Sequence, residues 1–169
     1  MTYTKKISAR LYSQLLLVEP SRNWGIEYRP CLVNLQDGRK IDCVYVVPEQ
    51  QYIHHWGVWP EDDPGKQSLR IEDVSEIEES PSRLPAAIAN KLYEEGESGM
   101  GYCIFTLVFT DGSTQAYITG NAVDFVPLPA GKEARDIKKV IPHEGRNVEN
   151  QMQVLDYYWC IYSGVEEYA

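Results

Sequence analysis

Ser98 sits in the run Gly96-Glu97-Ser98-Gly99-Met100-Gly101-Tyr102, and the chain has three histidines, His54, His55 and His143. A serine flanked by glycines and a histidine able to take its proton are the minimum for nucleophilic acyl transfer. That chemistry needs base and nucleophile about 3 Å apart and amide donors aimed at the developing oxyanion. Met100 and Gly101 amides are the candidate donors, and His54, His55 or His143 the candidate base. The sequence therefore offers a small serine hydrolase using Ser98 as its catalytic alternative.

The flanking pattern weakens that alternative. A phosphate-binding Walker loop needs a lysine that this run lacks, and it opens a helix, whereas this run enters an apolar strand-like segment. The nucleophile elbow of α/β-hydrolases needs glycine where Met100 stands. Gly96-Glu97-Ser98-Gly99 resembles the Gly-Asp-Ser-Gly segment around the nucleophile of trypsin-like serine proteases. Glu97 replaces the aspartate, Met100 replaces the next glycine, and 169 residues are few for two protease barrels. Asp73 is one of several carboxylates that the resemblance could use as orienter. The alternative use of this run is structural: Gly96 ends a helix, Gly99 and Gly101 permit close backbone approach, and Tyr102 starts a strand. A pocket edged by Glu97, Ser98 and the Gly99–Tyr102 backbone follows from the same reading.

A second candidate region is QYIHHWGVWPEDDPG, where Tyr52, Trp56 and Trp59 surround His54 and His55. Two exposed rings there would bind a protein or a flat ligand. Read as an extended loop, the segment sends its two histidines to opposite sides. No HExxH or CxxC spacing is present, so neither a metal nor a cofactor is expected. Cys31, Cys43, Cys103 and Cys160 are far apart and read as buried free thiols.

The chain carries 16 basic and 25 acidic residues, a formal net charge of -9. Such a chain repels phosphate backbones, which makes nucleic acid an unfavoured partner, and it suits a protein with a basic surface. No apolar stretch is long enough for a membrane span, and the basic N-terminal stretch lacks a clear cleavage site. These features predict a cytoplasmic, acidic interaction module, regulatory or inhibitory in role, rather than an enzyme.

The elements that must position these residues are strands. CLVNLQDGRKIDCVYVV alternates apolar residues on both sides of Asp37-Gly38, as FTLVFTDGSTQAYIT does around Asp111-Gly112. Both predict β-hairpins. Tyr28 and Tyr102 each lie nine residues before the turn aspartate, Gly25 matches Gly99, and Tyr117 matches Cys43. RIEDVSEIEESP and RDIKKVIPHEG each add an I-x-x-V pattern, so an internal duplication of a small β unit is expected. Ile7, Leu11, Leu15 and Val18 predict an N-terminal helix over 4–18. Ser82, Pro85 and Gly96 frame a central helix over 84–95. The aromatic segment around Tyr157–Tyr162 predicts a closing C-terminal strand. The expected fold is α+β and antiparallel β-rich, with two related hairpins forming small SH3-like barrels. Residues 1–95 would hold the first β unit with both helices and 96–169 the second, unless one core is shared.

Overall fold

The computed structural model describes residues 5–23 and 25–166. The first half contains β1 (Ile7–Ser8), α1 (Ala9–Leu16), β2 (Ser21–Asn23), β3 (Ile26–Leu35), β4 (Lys40–Pro48), α2 (Glu49–Trp56), β5 (Gln67–Arg70) and β6 (Val74–Glu79). The second contains α3 (Ala86–Glu95), β7 (Cys103–Phe109), β8 (Thr114–Thr119), β9 (Ile137–Pro142), β10 (Met152–Gln153), β11 (Tyr158–Tyr162) and β12 (Val165–Glu166). They divide into two compact units: residues up to 81 with those from 157 onward, and residues 82–156.

Both Asp-Gly hairpins form, β3–β4 and β7–β8, for the same local reason. Gly38 and Gly112 take φ of 92° and 86°, which a side chain disfavours. Asp37 and Asp111 accept the amides of Arg39 and Ser113 at 3.0 and 2.9 Å, closing each turn. The likeness extends beyond the turns. A single 3-10 turn, Ile71–Asp73 or Ala134–Asp136, delivers a third antiparallel strand, β6 onto β3 and β9 onto β7. Val33 faces Ile77 as Leu107 faces Val140, and the register slips at Asn34/Leu35 as at Val108/Phe109. The amides of Gln36 and Thr110 donate to the Asp73 and Asp136 carbonyls at 2.7 and 2.8 Å.

Each unit then adds a parallel strand to its second hairpin strand. β11 joins β4 with Tyr158 opposite Val44, and β10 joins β8 with Met152 opposite Tyr117. The pairing makes Val44, not Cys43, the counterpart of Tyr117. Cys43 has φ 59° beside a register shift, and this bulge inserts one residue into β4.

These parallel pairings correct the expected architecture. The sheets are mixed, in the orders β2-β3-β4-β11-β5, with β6 also on β3, and β10-β8-β7-β9. Both are open, so the SH3-like barrels do not form. A helix covers the apolar face that closure would otherwise bury. In the first unit, Leu11 and Leu15 of α1 pack with Cys31, Val33, Val44, Val46 and Cys160. In the second, Ala89 and Leu92 of α3 pack with Phe105, Leu107, Tyr117 and Val140. α3 thus belongs with the strands that follow it.

Ser8 caps α1 by accepting the Leu11 amide at 3.1 Å. The predicted helix over 4–18 is shorter at both ends: at its start Ile7 instead pairs with Val165 in a short parallel ladder, and at its end Leu17 is the C-cap. Residue 4 lies outside the described residues. The half-buried Arg29 guanidinium reaches the other end of α1, donating to the Val18 carbonyl at 2.6 Å and to the Leu15 carbonyl at 3.4 Å. Two further α1 side chains cover the outer edge of β6. Arg10 donates to the Ser75 carbonyl at 2.7 Å, and Gln14 accepts the Ile77 amide at 2.8 Å.

The segment read as extended around His54 is helix α2. Pro48 precedes its first turn, and Gly57 ends it at φ 81°, donating to the Ile53 carbonyl at 2.8 Å. Tyr52 and Trp56, one turn apart, pack onto Trp159 and continue to Tyr45, Tyr28 and Tyr157. This aromatic layer covers the sheet face opposite α1. At α3, Pro85 rather than Ser82 precedes the first turn, and Gly96 ends the helix as expected. The C-terminal aromatic strand forms as β11 and lies between β4 and β5.

All four cysteines are buried free thiols. Burial pushes Cys160 up to about 12, from an ordinary value of 9.0. Burial also raises Tyr162 to about 12. Unfolding releases both to titrate at their ordinary values, so above about pH 9 the unfolded chain binds fewer protons than the folded one. Stability should be fully retained below that point and fall as pH rises towards 12. Urea midpoints measured across this range should decline, and Cys160→Ala should show a shallower decline despite a lower starting stability. A flat wild-type profile would contradict the assignment.

Candidate functional site

In the second unit, the glycine-rich turn between α3 and β7 meets the segment after β9. Gly96 and Gly101 take φ of 80° and 82°. The Ser98 amide donates to the Tyr102 carbonyl at 2.9 Å, folding the turn back on itself. Gly99 lies against the Tyr102 ring, where a Cβ would come within 2.3 Å of its outer atoms. The Glu97 carboxylate accepts the Gly101 amide at 3.1 Å. Met100, at the tip, is 98% exposed. Glu97, Ser98, Gly99, Gly101 and Tyr102 therefore form one local structure, with Met100 projecting from it.

His143 reaches Ser98 from β9's far end, with Nδ1 2.8 Å from Oγ. Its backbone, at φ 64°, donates to the Ile104 carbonyl at 2.7 Å. Ser98 Oγ also accepts the Ile104 amide at 2.8 Å. Arg146 closes the cluster, donating to the Tyr102 hydroxyl at 2.9 Å and to the Ser98 carbonyl at 3.3 Å. Burial raises the nearby Cys103 thiol, and the Glu97 carboxylate adds to that shift. A groove of about 360 Å³ lies beside the cluster, lined by Thr106, Ala116, Ile141, Glu144 and Arg146 among others.

The serine–histidine contact has the reach that proton transfer requires. Other contacts give it a structural use. The hydroxyl accepts the amide of Ile104, the second residue of β7, and the Gly101 amide, one candidate oxyanion donor, is bound to Glu97. The hydrogen bond of the His143 ring is the one it shares with Ser98 Oγ. The triad arrangement uses a third group to orient the base.

His54 and His55 belong to the other unit, in the last turn of α2. Burial lowers the His55 imidazole, assisted by Lys66 and His54. Here the structure gathers Tyr52, Trp56 and Trp59 with two lysines that sequence patterns did not single out. Lys66 Nζ stands 3.7 Å above the Trp56 ring, 3.1 Å from the Tyr52 hydroxyl and 3.0 Å from the Asp63 carboxylate. Lys5 Nζ stands 4.1 Å above Trp59 and 3.6 Å from Glu61. Tyr52 is buried, whereas Trp56 and Trp59 are half-buried. Beyond Trp59 opens a groove of about 420 Å³, lined by Glu49, Ile53, His54, Val58 and Trp59 among others. Val58 is 45% exposed.

Among the described residues, no group of three or more His, Cys, Asp or Glu side chains is placed to hold a metal ion. No helix among them is long and apolar enough to cross a membrane. Comparison with known proteins finds no matching family model, no similar curated protein and no similar solved structure.

The Gly99–Tyr102 packing gives a direct test of the turn. Gly99→Ala should displace the Tyr102 ring, break its hydrogen bond to Arg146, and cost about 1 kcal/mol in urea unfolding. In a Tyr102→Ala background the same change should cost almost nothing, since the ring is gone. Equal costs in both backgrounds would show that the glycine answers to something else.

Proposed function

We propose that this chain is a soluble, acidic, non-catalytic interaction module, acting in the cytoplasm in a regulatory or inhibitory complex. The observation that carries this reading is the open groove at the end of α2, where the exposed Val58 adjoins Trp59. Its rim carries Glu49, and the following turn carries Glu61 and Asp62, so an approaching basic surface meets opposite charge. The apolar groove supplies contact area, and the carboxylates supply orientation and association rate. The matching strand registers of the two units support an internal duplication, with α2 and its groove added to the first copy alone.

The test is capture of partners from source lysate, followed by binding of the purified basic partner to the purified chain. Val58→Asp should weaken that binding about tenfold or more while leaving the fold intact. Trp56→Ala is a poor probe, because that ring also packs on Tyr52 and Trp159. A specific partner whose affinity ignores Val58→Asp would place the interface elsewhere.

The Ser98 Oγ to His143 Nδ1 distance of 2.8 Å favours one second reading, a small serine hydrolase. Attack by Oγ on an acyl carbon, with His143 taking the proton, would require the hydroxyl to surrender the Ile104 amide. A fluorophosphonate probe separates the two readings. Catalysis predicts labelling at Ser98 that disappears in Ser98→Ala and in His143→Ala, each checked for folding. The interaction module predicts no labelling of the wild-type chain.

A further inference from the structure

Residues 5–8 join three parts of the first unit. The Lys5 carbonyl accepts the Ser163 amide at 2.6 Å, and the Ile7 amide donates to the Gly164 carbonyl at 3.0 Å. Ile7 and Ser8 then run parallel to Val165 and Glu166. Ile7 is buried in the core with Leu11, and Ser8 caps α1. The Lys5 side chain leaves this ladder for the loop beyond α2. There its ammonium stands 4.1 Å above the Trp59 ring and 3.6 Å from the Glu61 carboxylate. One residue is thus held by its backbone at the C-terminal segment and by its side chain on the wall of the α2 groove.

The two attachments are unequal. A lysine side chain has much rotamer freedom, and fixing it offsets most of what an ammonium gains from one ring face and one carboxylate at a partly exposed site. The side chain keeps its place because its own backbone is already fixed. The ladder that fixes it is small: β1 and β12 pair with each other and join neither larger sheet. Such a ladder can open while the main sheet stays closed. Gly164, at φ 79°, is the bend that carries the chain from β11 onto β1, so the opening can be confined to residues beyond Tyr162.

We propose that β12 is a latch and Lys5 the strap it holds. With β12 in place, Lys5 covers a face of Trp59 and pairs with Glu61. When β12 lifts, that ring face and that carboxylate open together. The groove wall is then controlled by the C-terminal strand, and by linkage whatever displaces Lys5 from Trp59 loosens β12 in turn. The device stands on these contacts alone and holds whether or not the groove takes a partner.

Three variants of the whole chain, ¹⁵N-labelled, test it. Ser163→Pro deletes the amide that holds the Lys5 carbonyl, and the preceding Tyr162 already lies in a strand, as a proline requires. Glu166→Pro takes a backbone donor from β12 itself. Lys5→Met removes the ammonium and keeps an unbranched side chain. In both proline variants the Ile7 amide should exchange with solvent about tenfold faster, while the Cys160 amide, inside the main sheet, keeps its wild-type rate. The Trp59 indole N–H resonance should move in both towards its position in Lys5→Met. Lys5→Met should itself speed Ile7 exchange about twofold. Trp59 unmoved while Ile7 exchange accelerates would show ladder and ring to be independent and overturn the proposal. Equal acceleration at Ile7 and Cys160 would make the opening global, and unchanged exchange at Ile7 would mean that β12 does not lift. Either result overturns it too.

Discussion

The first unit depends on a strand that arrives from the far end of the chain. β11 pairs in parallel with β4 on one side and β5 on the other, so it occupies an interior place in the sheet. Its alternate residues serve both faces. Cys160 is buried in the layer beneath α1, with Tyr158 and Tyr162 packed against it. Trp159 is the hub of the opposite layer, touching Tyr28, Tyr45, Tyr52, Trp56 and Tyr157. Two-sided burial explains why this stretch reads as a nearly continuous aromatic and apolar run, the pattern of a buried parallel strand. The fully buried Tyr45 and Tyr52 owe their place to that ring network.

The hairpins were legible because their causes are local. Alternation of two and an Asp-Gly turn determine pairing partner and register within about twenty residues of chain. The match between RIEDVSEIEESP and RDIKKVIPHEG also pointed to real structure, the two third strands. What escaped was set by distant pairing. Nothing near Tyr158 or Met152 states that each will lie parallel to a strand made long before it. The bulge at Cys43 was equally hidden, so a gap-free alignment pairs Tyr117 with the wrong residue. Helix α2 was concealed by composition: aromatic and histidine residues have weak helical preference, and Pro60 and Pro64 suggested a loop. Its legible signals were the i, i+4 pair Tyr52 and Trp56, and Gly57 as terminator.

The candidate sites were legible to different degrees. The glycine turn was visible as a turn, and Ser98 as its special residue. The approach of His143 depends on β9 running antiparallel beside β7, which brings residue 143 level with Ile104. Arg146 carried no pattern of its own. Around Trp59, the rings were evident, but not the lysines above them, since Lys5 arrives from beyond α1 and Lys66 from the turn before β5. The two units also use their second sheet faces differently. The first covers this face with α2 and an aromatic layer. The second lays the segment after β9 across it, with Gly145 so close to Ala116 that a Cβ would come within 2.7 Å.

The covering of β6 by α1 links two hazards in a single element. Arg10 and Gln14 occupy backbone groups that would otherwise template another strand, while Leu11 and Leu15 of the same helix seal the apolar face. On β9, the corresponding edge, exposed Lys138 and Lys139 and the terminal Pro142 themselves discourage added strands, beside the packing of α3. Undocking of α1 is therefore the opening that the first unit can least tolerate: it uncovers oily surface and unpaired strand together. Any quality-control machinery that meets this chain before α1 docks meets a sticky sheet edge, whereas the second unit keeps its edge guarded by residues that need no docking.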